Sequence, residues 1–302
     1  MAMRMIDAHA HIFNVLSGFG ADGELRAIGG GKGIWANGKI ADIIPEGYGD
    51  CTFTAESLLS IMDSHKVERS VLLQGGLLGF NNYYLYKTMS EYPDRFIAAA
   101  AVDPFTRGLD SILDNLLENL RFRLFKFESS TGCGLMGIHD TFRLDGPRML
   151  RIYDRIAEKN GILIFDLGSP GDESHQADAI CNIAERYKDT RIVVCHLSSP
   201  RRNHREILEK ELREMSMENI AFDLAALNFK TRPEDYPFPV ASEFAALARK
   251  IVGDERLMWG TDAPTTLCRN SFEEIRDYLV PVFSGDALDK FFYKNALDIY
   301  WS

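Results

Sequence analysis

Two histidines near the start of the chain, His9 and His11, have the residue type and spacing needed to bind a metal ion. They end the apolar stretch of residues 5–11, which has the length of a β-strand. Residues two apart on a strand point to the same face, so both imidazoles can approach one cation through neutral ring nitrogens. A lone buried histidine is more often a hydrogen-bonded core residue, but a pair at this spacing favours a metal site.

Ionisable residues end other predicted strands as well. Burying many such groups side by side is costly unless they form ion pairs, make hydrogen bonds or bind a metal. The pattern therefore predicts a catalytic or binding centre where the strands end. For Asp103 and Asp223, a helix cap or an ion pair that fixes a loop is an equally good interpretation. The residues are Asp103, Lys126, Glu128, Asp166, His196, Asp223 and Asp262.

Short apolar runs alternate with longer amphipathic segments along the whole chain, which is typical of repeated βα units around a parallel sheet. Eight such pairs predict a closed (β/α)8 TIM barrel, whose active sites lie at the carboxyl ends of the strands. An open, doubly wound sheet is the alternative. A further helix over 287–300 is expected to pack outside the barrel. The predicted strands cover residues 5–11, 70–76, 96–104, 122–129, 161–169, 191–199, 219–227 and 257–264.

The chain is predicted to be one α/β domain, residues 1–302, with a lid-like insertion at residues 12–53. The insertion is rich in glycine and has weak periodicity, which indicates a long loop after the first strand. Its GGGKG stretch is not a phosphate-binding loop, because it lacks the spaced leading glycine, the Ser or Thr after lysine, and a preceding strand.

Composition excludes several classes of partner. A net charge of −10 argues against binding to nucleic acid or anionic lipid. No apolar stretch approaches the roughly 20 residues of a membrane span, so a cytoplasmic location is expected. Five scattered cysteines suggest reduced thiols rather than disulfides. Cys133, in a glycine-rich stretch, has no evident base beside it to make it reactive. The pattern leaves the oligomeric state open.

Three motifs together resemble those of the amidohydrolase superfamily: DAHAHIF at 7–13, VVCHLS at 193–198 and MWGTDAP at 258–264. The resemblance is closest to the amidohydrolase-2 branch, which contains metal-dependent hydrolases, lactonases and decarboxylases of the aminocarboxymuconate-semialdehyde type. It spans essentially the whole chain.

This resemblance implies a divalent metal, with zinc expected and manganese as the alternative. It implies that His9, His11 and Asp262 bind the ion and that Asp262 also accepts a proton. His196 is expected to assist catalysis or to complete the coordination.

One position departs from the branch, where a histidine usually ends the fifth strand and ligates the metal. Here Asp166 occupies the matching place. We expect its carboxylate to replace the imidazole, which favours a harder ion such as manganese alongside zinc. Otherwise the affinity falls and the site works without metal, as in metal-free lactonases. His175 is a weaker substitute, for which a helix-cap or surface role is favoured.

Three further residues are expected to contact the substrate. In binuclear relatives a lysine on the fourth strand is carboxylated and bridges two ions, whereas Lys126 is expected to bind a substrate carboxylate. Glu128 follows on the same strand face, and a structural ion pair between the two is the alternative. Arg201, just after the sixth strand, is another candidate for a carboxylate contact.

These residues predict a metal-dependent hydrolase that acts on a lactone, amide or ester carbonyl of a small carboxylated substrate. A divalent ion would lower the pKa of bound water to about 7, which provides a nucleophile at neutral pH. A non-oxidative decarboxylase that uses the same site is the alternative enzyme, as is a metal-free lactonase. A barrel that has lost its chemistry and only binds a ligand is a third interpretation. The strand-end residues do not distinguish hydrolysis from decarboxylation.

Overall fold

The computed structural model describes residues 3–302, in which the strands form two sheets. The larger sheet is parallel, with strand order β1-β6-β7-β8-β9-β10-β11-β12, and the smaller one has the order β2-β3-β4-β5. In chain order the strands are β1 (Met5–Ala10), β2 (Gly18–Gly20), β3 (Gly23–Gly29), β4 (Lys32–Trp35), β5 (Ile40–Asp42), β6 (Val67–Leu72), β7 (Phe96–Ala100), β8 (Leu124–Glu128), β9 (Ile162–Asp166), β10 (Ile192–Val194), β11 (Ile220–Asp223) and β12 (Leu257–Met258).

Helices follow the barrel strands and surround the larger sheet. Two of their starts carry side-chain caps: Thr54 accepts a hydrogen bond from Ser57 N–H, and Ser271 forms a capping box with Glu274. Among residues 3–302, no helix has both the length and the apolarity needed to cross a bilayer. The helices are α1 (Ala55–His65), α2 (Asn82–Glu91), α3 (Leu109–Asp114), α4 (Leu135–Ile138), α5 (Pro147–Ala157), α6 (Ala177–Arg186), α7 (Arg205–Glu214), α8 (Leu227–Lys230), α9 (Pro239–Val252), α10 (Phe272–Asp277), α11 (Asp286–Asp289) and α12 (Asn295–Tyr300).

The (β/α)8 barrel predicted from the sequence is confirmed, and each of its eight strands overlaps a predicted one. Most observed strands are shorter than predicted. The difference is largest at β10 and β12, and at β10 the predicted strand 191–199 ends at Val194 because residues 196–199 take up positive φ angles. His196 and Asp262 therefore sit on turns after their strands, whereas the polar residues that end β8, β9 and β11 lie on extended backbone.

The barrel closes between its first and last strands, which excludes the open-sheet alternative. Residues 8–11 run beside residues 259–263, and the two segments exchange backbone hydrogen bonds. Ala10 and Ala263 also form a parallel bridge. The hydrogen bonds are Ala8 N–H to Trp259 O (3.0 Å), Asp262 N–H to His9 O (2.7 Å) and His11 N–H to Ala263 O (2.8 Å).

A buried carboxylate, Asp7, reinforces this closure. It accepts hydrogen bonds from Thr261 N–H at 2.9 Å and from the Thr261 hydroxyl at 2.6 Å, and also from His9 N–H at 3.1 Å. Burial raises the pKa of Asp7 to about 7, although these hydrogen bonds act in the opposite direction. One side chain thus ties the first strand to the segment that carries Asp262.

Apolar side chains fill the barrel below the site, and the C-terminal helix completes this interior cluster. Interior residues at strand starts, such as Ile6, Leu124 and Ile162, are buried in it. The helical segment 286–300 is present as predicted, but it does more than pack on the outside. It closes the amino-terminal end of the barrel with the side chains of Tyr293, Ala296, Ile299 and Tyr300.

The insertion after β1 is more regular than its composition indicates, because β2–β5 form an antiparallel sheet within residues 18–42. Its glycine run is a hairpin turn, in which Gly30 and Gly31 have φ of 62° and 71°. A Cβ on Gly31 would lie 2.3 Å from Ile44 O, so only glycine fits there. Leu25 and Trp35 bury one face of this sheet against the core.

We predict that Thr261→Val lowers the free energy of unfolding by about 2 kcal/mol, because it removes a buried hydrogen bond and leaves an oxygen of Asp7 without that partner. Thr261→Ser keeps the hydroxyl and should cost about 1 kcal/mol, the value of one buried methyl group. Urea unfolding monitored by circular dichroism measures both. Equal losses in the two variants would contradict a role for the hydroxyl.

Candidate functional site

The carboxyl ends of the barrel strands surround a cavity of about 480 Å³, here called the inner cavity. Strands β8 and β9 and the turns after β10 and β12 supply most of its ionisable side chains. The insertion contributes residues 40–43, and two cations from later loops complete the lining. The ionisable residues of the lining are His11, Asp42, Lys126, Glu128, Asp166, His196, Lys230, Asp262 and Arg269.

Three imidazoles at this end of the barrel are fixed in the same way. In each ring Nδ1 faces an oxygen that can only accept a hydrogen bond, so Nδ1 carries a proton. In a neutral ring Nε2 then keeps its lone pair. The contacts are His9 Nδ1 to Asp223 Oδ2 (3.1 Å), His11 Nδ1 to Leu73 O (2.9 Å) and His196 Nδ1 to Ala225 O (2.8 Å).

The free ring nitrogens lie around the carboxylate of Asp262. Asp262 Oδ1 is 2.9 Å from His11 Nε2 and 3.5 Å from His9 Nε2. Ligand atoms of His9, His196 and Asp262 all lie within 4.8 Å of one another. The structure thus brings together the two histidines of the first strand and the aspartate of the last, as the sequence predicts.

His9, His196 and Asp262 have the spacing to bind a single divalent cation, whereas His11 lies outside this group although its Nε2 is 2.9 Å from Asp262 Oδ1. His9 Nε2 is buried and has no hydrogen-bond partner within residues 3–302, and such an orphaned atom is costly unless something binds it. Zinc bonds of roughly 2.0–2.1 Å in a tetrahedron place ligand atoms about 3.3 Å apart. The separations of His9 and His11 from Asp262 are close to this value.

Electrostatics at these residues favour the protonation states that a metal site needs. Burial lowers the pKa of His9 to about 4, although Asp223 opposes the shift, so the ring is neutral at pH 7. Burial by itself would raise the pKa of Asp262. The hydrogen bond with His11 and the electrostatic effect of His196 outweigh burial and hold the pKa of Asp262 well below its usual range.

Asp166, the predicted replacement for a histidine ligand, lies beside the cluster of candidate ligands rather than within it. It does not belong to the group of His9, His196 and Asp262. Its Oδ2 lies 3.4 Å from His196 Nε2 and 3.7 Å from Lys126 Nζ. Burial opposes ionisation, but these two neighbours keep the pKa of Asp166 well below its usual value. Its carboxylate is therefore a counter-ion to both.

The predicted substrate contacts differ in their surroundings. Lys126 is buried at the inner cavity, and its Nζ makes no hydrogen bond to any described residue. Glu128 is also there, but its carboxylate accepts hydrogen bonds from Gly76 N–H and Ser130 Oγ. Arg201 does not line the inner cavity; it is exposed and pairs with Asp172 at 2.7 Å.

His175, the weaker candidate ligand, is engaged elsewhere. Its Nε2 lies 2.9 Å from Glu211 Oε1, and its Nδ1 lies 3.1 Å from Gly168 O. Both nitrogens already have partners, so His175 is not available to the cluster around Asp262.

Asp223 has a structural role that the sequence only hinted at. Besides its contact with His9, its Oδ1 accepts hydrogen bonds from the backbone N–H of His196 (3.0 Å) and of Ala225 (3.1 Å). One buried carboxylate therefore orients the imidazole of His9 and fixes the backbone of His196. The only signal in the sequence was its position at the end of a predicted strand. Lys230 and Arg269 gave no signal, because Lys230 ends the short helix α8 and Arg269 lies in a loop, both after the strands that the sequence predicts.

The backbone around the site has two unusual features, a close approach of two strands and several positive φ angles. A Cβ on Gly260 would lie 2.9 Å from the Cβ of His9, so glycine lets the first and last strands approach. Asp262 and the four residues 196–199 have positive φ, between 51° and 66°. Non-glycine residues adopt this conformation at a cost, and it is concentrated at functional sites.

A family model described as Amidohydrolase matches residues 6–301. Among curated proteins no significant sequence match was found. Solved structures of similar fold include a probable 2-pyrone-4,6-dicarboxylic acid hydrolase from Acinetobacter baumannii with bound citric acid. The two sequences are 16% identical, the alignment covers 99% of this chain and 100% of that one, and the TM-score is 0.71.

Two other solved structures hold metal ions. An amidohydrolase from Burkholderia multivorans with bound zinc is 15% identical, with 98% of this chain and 99% of that chain covered and a TM-score of 0.72. A 5-carboxyvanillate decarboxylase from Novosphingobium aromaticivorans with bound manganese is 15% identical, with 81% and 80% covered and a TM-score of 0.57. At these identities the likeness is one of fold.

We predict that Asp223→Asn lowers the zinc affinity 10- to 100-fold, as is usual when a residue that orients a ligand is changed. His9→Ala should lower the affinity further, because it removes a buried donor atom. Competition titration of metal-depleted protein with a zinc indicator measures both. His139→Gln is the matched control, since it removes a histidine that pairs with Asp103 at 2.8 Å outside the cavity. Unchanged affinity in the first two variants would contradict the site.

We also predict that Cys133 reacts slowly with iodoacetamide at pH 8, although it lines the inner cavity. Burial raises the pKa of its thiol to about 12, so the nucleophilic thiolate is scarce. The rate should rise about tenfold per pH unit below that value, as peptide mass spectrometry can measure. Fast labelling that does not change with pH would contradict the assignment.

Proposed function

Because the chain belongs to the amidohydrolase family, we propose that it is a metal-dependent hydrolase of a small carboxylated substrate with a lactone, amide or ester carbonyl. The observation that carries this proposal is the convergence of His9, His11 and His196 on the carboxylate of Asp262. Each ring has its Nδ1 fixed, and His9 Nε2 has no partner among the described residues.

In this proposal His9, His11 and Asp262 hold the metal. When bound, a divalent ion supplies Lewis acidity, which polarises a carbonyl and makes bound water acidic at neutral pH. A donor set of imidazoles and one carboxylate suits zinc, with manganese as the alternative. Zinc and manganese are the ions held by two of the structures of similar fold.

Asp262 is the residue we assign to proton transfer. Its Oδ1 faces His11 and His9, whereas its Oδ2 makes no hydrogen bond within the described part of the chain. The carboxylate is ionised at neutral pH, since its neighbours hold the pKa low. Oδ2 can therefore accept the proton of the attacking water and pass it to the leaving group.

His196 is assigned to the oxygen that becomes negative during attack. With Nδ1–H donated to Ala225 O, the ring must also carry a proton on Nε2 to stabilise an oxyanion. Asp166 provides the counter-charge for that imidazolium, 3.4 Å from Nε2. In this assignment Asp166 is a positioning residue.

Lys126 and the insertion complete the site. The Lys126 ammonium group is buried beside Asp166 and has no hydrogen bond to a described residue, which leaves it free to bind a substrate carboxylate. Residues 40–43 also line the inner cavity. We assign the insertion the role of a lid that keeps bulk water from the reaction.

The test is turnover by the zinc-loaded protein on a panel of lactones, esters and amides that carry a carboxylate. We predict hydrolysis, with kcat reduced 10²- to 10⁴-fold in Asp262→Asn and His196→Gln, the usual loss when a proton-transfer group is removed. His139→Gln serves again as the control and should keep its activity.

Carbon dioxide release from unsaturated and aromatic carboxylates is measured in parallel. Release of carbon dioxide without hydrolysis of any member of the panel would contradict the proposal and support the decarboxylase alternative. Retained hydrolysis and metal content in the His9→Ala, His11→Ala double variant would contradict the metal-dependent mechanism.

A further inference from the structure

A second cavity, here called the outer cavity, adjoins the inner one and has a volume of about 790 Å³. Residues 229–235, which follow the seventh strand of the barrel, form one side, and residues 201–203 form the other. Phe229 and Lys230 line both cavities, so the two spaces meet at these side chains. The mechanism proposed above does not use this space.

The outer cavity and its junction carry cations without acidic partners. Among the described residues, none of these cations forms an ion pair, in contrast to Arg201 on the cavity rim, which pairs with Asp172. The set comprises Arg202, Lys230, Arg232 and Arg269, the last on the inner side of the junction.

The acidic residues of the outer cavity do not balance this charge. The carboxylate of Glu234 is hydrogen-bonded to nearby residues of its own chain segment. It accepts hydrogen bonds from the N–H groups of Val240 and Ala241 and from the Thr231 hydroxyl. Asp235 is exposed and forms no ion pair with a described residue. The cavity therefore has an excess of positive charge in a chain whose net charge is −10.

Phe229 holds two of the guanidinium groups in place. The Cζ of Arg232 lies 3.3 Å from the centre of its ring and the Cζ of Arg269 lies 5.9 Å from it. Burial, and secondarily the charge of Arg269, lower the pKa of Arg232, which shows that the two cations repel each other. A guanidinium stacked on a ring keeps N–H groups at its edge for an oxyanion.

Lys230 connects this charge to the reaction centre. Lys230 lines the inner cavity together with Asp166, His196 and Cys133, and its charge contributes to the pKa shifts of these three groups. A ligand that reaches from the inner cavity past Phe229 would therefore place its far end among Lys230, Arg232 and Arg269.

We propose that the outer cavity binds an oxyanionic group, a carboxylate or a phosphate, at the end of the substrate remote from the reacting carbonyl. Lys230 and Arg232 are its specificity-determining residues. This inference rests on the proposed function, because it takes the inner cavity as the place of reaction. It adds that the substrate carries a second negative charge and is long enough to span both cavities. The basic patch would also steer such a dianion toward the mouth of an otherwise acidic protein.

The test uses calorimetric binding of straight-chain dicarboxylates from malonate to pimelate to the zinc-loaded protein. Each dicarboxylate is compared with the monocarboxylate of equal length. We expect one dicarboxylate to bind at least tenfold more tightly than its monocarboxylate, and the length at which this occurs reports the span. Phosphonocarboxylates of the same lengths show whether a phosphate-type group is preferred at the far end.

Lys230→Met and Arg232→Met should each remove most of this difference. Arg205→Met is the matched control, because Arg205 is an exposed arginine paired with Glu243 outside both cavities. Equal affinities for mono- and dicarboxylates in the wild type, or an equal loss in the control, would overturn the inference.

Binding is measured without turnover, so the two proposals fail separately. Hydrolysis without any preference for dianions would contradict only the outer site. A dianion preference that depends on Lys230, in a protein that hydrolyses nothing in the panel, would contradict only the proposed reaction.

Discussion

The site depends on the closure of the barrel between its first and last strands. Without the backbone hydrogen bonds that join residues 8–11 to 259–263, His9 and His11 would have no fixed relation to Asp262. Asp7 and Thr261 tie the same two segments through side chains, and Gly260 lets them approach. Stability and reactivity therefore share one set of contacts, since a change that loosens the closure also separates the donors.

A second layer of acceptors determines what the imidazoles can do. Leu73 O, Ala225 O and the Asp223 carboxylate each accept a hydrogen bond from Nδ1–H, so Nε2 of all three rings is left for a further partner. This arrangement is set before any ligand binds, which reduces the reorganisation needed during reaction. Asp223 matters most here, because it holds the side chain of His9 and the backbone of His196 together.

The sequence predicted the barrel, its eight strands and the proximity of His9 and His11 to Asp262. The family match confirms the resemblance to amidohydrolases that the sequence motifs indicated. These features follow from the periodicity of apolar residues and from the residue types at the strand ends, and both can be read from the local sequence. The antiparallel sheet of the insertion was not predicted, because its strands are short and separated by glycine turns. The placement of Asp166 beside Lys126 was also not predicted. Whether a carboxylate acts as a metal ligand or as a counter-ion depends on differences of about an ångström in the distances to its neighbours, which the sequence does not show. The outer cavity depends on loops distant in sequence, and no periodic pattern marks them.

The small sheet of residues 18–42 begins and ends on the same side of the barrel, between the strand that carries two histidines and the first helix. It borders the reaction space through residues 40–43, yet it provides none of the imidazoles and none of the groups that orient them. Exchange of this one contiguous piece among relatives would reshape the entrance while the chemistry stayed intact. In such a layout, new substrate preferences can evolve by replacing a module rather than by rebuilding the centre.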